Sequence, residues 1–62
     1  MGDRLIVNKI YDIVRRHYNY ETDEVMKWFD ARNNMLSGLK PRDMLKLGRE
    51  KKLLRFLEES NF

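Results

Sequence analysis

Gly38, Pro41 and Gly48 lie close together, interleaved with Leu36, Leu39, Met44 and Leu45, and this constrains the chain more than any other feature. Proline lacks the N–H that a helix or strand interior uses, and glycine favours the positive-φ residues that end helices. The region must therefore be short helices joined by tight turns. Pro41 suits the first position of a helix and Gly48 suits its end. Upstream, Val25, Trp28 and Phe29 share one side of a helix. That helix is expected to start with Thr22 as N-cap, carry Asp23 and Glu24 in its first turn, and close near Asn33-Asn34. Residues 33 to 40 then form a connector whose Met35, Leu36 and Leu39 are expected to plug the core.

The flanking segments complete the pattern. From Asp3, a suitable N-cap, to about Tyr18, Ile6, Val7, Ile10, Ile13 and Val14 fall on one arc, with Tyr11 and Tyr18 at its edge. Lys9, Asp12 and Arg16 occupy the opposite arc, and Asp12 precedes Arg16 by one turn in the favourable order. From Arg49 to Glu59, Leu53, Leu54, Phe56 and Leu57 face one way while Lys51, Lys52 and Arg55 face the other. No stretch shows strand alternation. The expectation is an all-α fold, a bundle of about four short helices forming one domain over residues 1–62.

A chain of 62 residues hides only roughly 60% of its unfolded surface on folding. Without cysteine, neither disulfides nor thiolate metal sites reinforce that thin core. Charge is too dense for a membrane span, and the charged start lacks the apolar run of a signal peptide. Met1-Gly2 opens like a myristoylation motif, but Ile6 stands where serine or threonine is needed. A cytoplasmic protein follows as the expectation.

Catalysis has few candidates. His17 is the one possible general base, and its place beside Ile10 and Ile13 on the helical projection reads as a half-buried histidine bonded to a backbone carbonyl. Asp23 and Glu24 point about 100° apart on a helix and read as partners of its dipole. One histidine without cysteine falls short of a zinc ligand set. Neither cofactor nor metal is expected.

The net charge of +3 is unevenly spread: residues 40 to 55 hold seven basic side chains against two acidic ones. Arg42, Lys46, Arg49, Lys51, Lys52 and Arg55 fall on two consecutive short helices, an arrangement that would let several converge on phosphates. A helix-turn-helix with Leu47-Gly48-Arg49 as its turn would also expose Lys51, Lys52 and Arg55. Yet the segment lacks amide or hydroxyl base readers and interleaved aromatics. Protein-facing or solvated charge is therefore the first reading, and nucleic acid the second.

Val25, Trp28, Phe29, Asn33 or Asn34, Leu36, Ser37, Gly38, Pro41, Asp43, Met44, Leu45 and Gly48, continued by Leu53 and Leu57, form an ungapped pattern. It resembles the toxin-binding domain of antitoxins of the MbcA/ParS/Xre type. The resemblance covers roughly residues 22 to 59, with residues 1 to 21 as an added N-terminal helix. It implies a non-enzymatic inhibitor that sits on a partner enzyme, typically a RES-type toxin that consumes NAD, and blocks its active site. The contact residues it implies are Arg49, Lys52, Arg55 and Phe62, although Phe62 suits a core staple folded back on the bundle equally well, and self-association into a homodimer is common in the family. Two departures stand out. Lys40 replaces the threonine that often precedes the proline, and residues 1 to 21 supply one helix where such antitoxins usually carry a DNA-binding helix-turn-helix domain. Two alternatives follow: a small basic nucleic-acid-binding regulator, or a phage or mobile-element protein that turns the same fold on another host protein.

Overall fold

The computed structural model describes residues 3–59. Among the described residues four helices run in order: α1 (Arg4–His17), α2 (Thr22–Asp30), α3 (Pro41–Lys46) and α4 (Glu50–Glu58), with a short 3-10 turn, Asn34–Leu36, between α2 and α3. Among the described residues there is no strand, only an isolated bridge between Asn33 and Leu39. The fold is a small all-α bundle.

Local chemistry explains most boundaries. Asp3 caps α1, its carboxylate accepting from the N–H groups of Leu5 (3.0 Å) and Ile6 (3.4 Å), which leaves fewer orphan donors in the first turn. Pro41 opens α3. Three reversals share one device. The N–H of Tyr20 donates to the Arg15 carbonyl and that of Asn19 to Arg16; Gly38 donates to Asn33 and Ser37 to Asn34; Arg49 donates to Met44 and Gly48 to Leu45. Each is the paired closure of a Schellman motif, and each needs a left-handed residue at its bend. Asn19 (φ 54), Ser37 (φ 60) and Gly48 (φ 74) supply it, with Tyr20 (φ 62) and Gly38 (φ 77) adding a second in the first two turns.

The core joins Ile10 and Val14 of α1, Val25 and Phe29 of α2, Leu36 of the connector, Met44 of α3, and Leu53 and Leu57 of α4. Full burial of such a side chain contributes about 1.5 to 3 kcal/mol. Pro41 is buried as well, while Trp28 and Leu45 are half-buried against the cluster. The Trp28 ring meets Phe29 edge-on at 5.0 Å between centroids, and Tyr11 lies tilted on Phe29 at 4.6 Å. The most extensive helix pair is α1 with α4, far apart in sequence. Their N-terminal ends meet where the Asp3 N–H donates to Glu50 Oε2 at 3.2 Å.

Several expectations are corrected. Helix α2 ends at Asp30, and Asn33 is extended (φ -116), serving as the cap of the 3-10 turn by accepting the Met35 N–H at 2.9 Å. The left-handed closers are Asn19, Tyr20 and Ser37 instead. Thr22 is the first helical residue of α2, and Glu21 holds the cap position without a side-chain bond. Met35 does not plug the core: it is 66% exposed, because the tight reversal that buries Leu36 turns its neighbour outward. His17 is exposed at the last turn of α1, directly before the reversal at residues 18–20, with its ring edge-on to Tyr18 at 4.8 Å.

Candidate functional site

Helix α4 presents opposite chemistries to its two sides. At about 100° per residue, Leu53 and Leu57 point into the core, while Lys52, Arg55, Phe56 and Glu59 fall on the flank that faces the connector. The Schellman turn before α4 adds Arg49 to the same flank. Across from them the connector contributes Met35, Ser37 and Leu39, with Leu36 and Met44 below. Together they line a groove of about 360 Å³. Its floor is apolar and one wall is mainly cationic.

Three of the sequence candidates, Arg49, Lys52 and Arg55, are thus brought together. The others disperse. Arg42 is drawn to Asp30 of α2 in an ion pair of 2.8 Å. Lys51 lies on the flank of α4 away from the groove, and Lys46 is exposed on α3, outside the groove lining. Within the groove Arg55 pairs with Glu59 one turn on, at 3.4 Å. Arg49 and Lys52 have no carboxylate partner among the described residues. Phe62, the fourth expected contact residue, lies outside the described residues.

The motif positions are mostly occupied with shaping this junction. Val25, Phe29, Leu36 and Pro41 are buried, Trp28 and Leu45 are half-buried, and Gly38 and Gly48 sit at positive φ. A Cβ at either glycine would meet nothing within 4 Å. Both are therefore required by backbone conformation and not by close approach. Lys40 caps α3 without a side-chain bond.

Glu50 is the residue that sequence reasoning missed. At the first position of α4 it is 5% exposed, and its Oε1 has no hydrogen-bond partner among the described residues. Its position one turn before Leu53 and Leu54 was the available signal, because that arc runs inward. The positive ends of α1 and α4 and the Asp3 N–H offset part of its burial.

A second depression, more open and of about 570 Å³, lies along α1 between Asp3, Leu5, Ile6, Asn8, Lys9 and Asp12. Asp3 is engaged in capping and Asp12 in its pair with Arg16, so its charges have local partners. His17 and the pair Asp23 and Glu24 line neither concavity. Glu24 is tied to Lys27 at 3.5 Å. Among the described residues no cluster of three histidine, cysteine or acidic side chains is placed to hold a metal ion, and no helix is long and apolar enough to cross a membrane. Compared with known proteins, the chain matches no family model, no curated protein and no solved structure.

Proposed function

We propose that this chain is a non-enzymatic protein-interaction module, an antitoxin-like inhibitor that binds a partner enzyme and blocks it. One observation carries the reading: a groove floored by apolar side chains, with Met35 open to solvent and, on its wall, two cations, Arg49 and Lys52, that have no carboxylate partner among the described residues. Exposed apolar surface rimmed by charge is what an interface presents before its partner arrives. The resemblance of residues 22 to 59 to the toxin-binding domain of MbcA/ParS/Xre antitoxins supports the same reading and favours a RES-type toxin as the enzyme. The basic wall would speed encounter with an acidic face more than it would tighten the complex.

Nucleic acid fits the groove less well. Phosphate recognition gains from converging cations, whereas here Arg42 and Arg55 already hold carboxylates and Lys51 faces elsewhere. An apolar floor offers phosphates nothing.

The test is capture from the native host with the tagged chain, followed by assay of the captured enzyme. The expected result is one protein held in fixed proportion, its catalysis arrested by the purified chain. Release on changing Lys52 and Arg55 together to glutamate completes the expectation. A purified chain that binds generic duplex DNA with steep salt dependence while capturing no enzyme overturns the proposal, as does turnover of a substrate by the chain alone.

A further inference from the structure

Resting on the interaction reading above, we propose that the groove between the connector and α4 receives an acidic segment of the partner, anchored by apolar side chains. The floor of Leu36, Leu39 and Met44 and the exposed Met35 at the rim favour apolar anchors, and a flexible thioether adapts to whatever shape arrives. The wall sets the sign of the charge. Any occupant that covers Arg49 and Lys52 takes them out of water, and among the described residues neither has a carboxylate to offset that cost. A neutral segment would leave both buried and unpaired, and a basic one would add repulsion. Carboxylates on the occupant remove the penalty.

The groove also has a direction. Glu59 closes one end beside Arg55, to which it is bound, so the strongest positive field lies toward Arg49 and Lys52. The occupant places its acids there and a neutral or basic residue near Glu59. From Arg49 to Glu59 the wall runs about 15 Å along the helix axis. That length suits a helical segment of two to three turns or a shorter extended one.

The experiment selects binders from a displayed library of random twelve-residue peptides against the purified chain, then measures their affinity for variants. Met35→Asp and Lys52→Glu are both at exposed positions, and circular dichroism checks that each remains folded. Enrichment of peptides that combine Asp or Glu with Leu, Phe or Trp is expected. Each variant should weaken them at least about 10-fold, a loss of about 1.4 kcal/mol. Exchanging the peptide's acids for lysine should restore binding to Lys52→Glu. Enrichment of neutral or basic peptides overturns the proposal, as does acidic binding that survives Met35→Asp or a library that yields no binder. Displacement of the peptides by duplex DNA assigns the cationic wall to phosphate and also overturns it. So does displacement by self-association of the chain. The underlying reading fails separately: an arrested enzyme that still binds both variants preserves the inhibitor and removes this groove. Acidic peptides bound here with no captured enzyme preserve the groove and remove the inhibitor.

Discussion

Helix α4 is packed on one side and open on the other. Toward α1, Leu53 and Leu57 meet Ile10 and Val14, and even a carboxylate, Glu50, is drawn under cover. Toward the connector, Lys52 and Arg55 stand over a groove whose rim residue Met35 is left in water. The same nine-residue helix thus holds the fold together with one arc and leaves the other unfilled. In a chain this small, surface that does not serve the core is free to serve a partner. The two sides should therefore separate cleanly under mutation, stability following one and binding the other.

The largest test is Leu53→Ala. Removing a fully buried leucine costs about 3 kcal/mol, most of the roughly 5 kcal/mol that a domain this short holds. Urea unfolding followed by circular dichroism should show the midpoint cut by more than half, with only about 2 kcal/mol of stability remaining. A loss below about 1 kcal/mol would break the comparison, because the α1–α4 seam would not then be the core. Glu50→Met sharpens it next. Replacing a buried, half-satisfied carboxylate by an apolar side chain of similar length should raise stability by about 1.5 kcal/mol. A fall instead would mean that the Asp3 N–H and the helix ends outweigh its burial. Gly48→Ala forces a side chain into positive φ and should cost about 1 kcal/mol in the same assay, although space is open around it. Arg42→Ala should cost about 0.5 kcal/mol or less, since its pair with Asp30 is roughly half exposed on both sides. Smallest of all, Lys52→Glu should leave the urea midpoint where it was while weakening the selected acidic peptides at least about 10-fold.

Much of this arrangement is legible in the residues. Asp3, Pro41 and Gly48 mark helix ends through chemistry that acts within a few positions, so no tertiary knowledge is needed to read them. The apolar arcs of α1 and α4 likewise follow from spacing alone. What escapes is set by contacts across the chain or by choices among near-equal turns. Asn33 and Asn34 are as good left-handed closers as Asn19, and the sequence contains no sign that Ser37 takes that conformation while Asn33 stays extended as a cap. Tyr20 at positive φ is unfavourable by propensity and is held there by the paired bonds around it. The burial of Glu50 depends on α1 reaching across the bundle, and the exposure of His17 on where α1 stops contributing to it. Of the site, the cations Arg49, Lys52 and Arg55 can be named from charge density. That they face Met35 and Leu39 across a groove, while Arg42 and Lys51 do not, is decided by the connector's path.

The three matching reversals have a chemical consequence. Backbone angles that strain an ordinary residue are the relaxed state of its mirror image, so a D-amino acid fits where Asn19, Ser37 and Gly48 bend the chain. At Gly48 a D-alanine would restrict the unfolded ensemble without distorting the fold, a stabilising trade. A polypeptide of this length lies within reach of total chemical synthesis, which makes each corner of the molecule separately addressable by handedness.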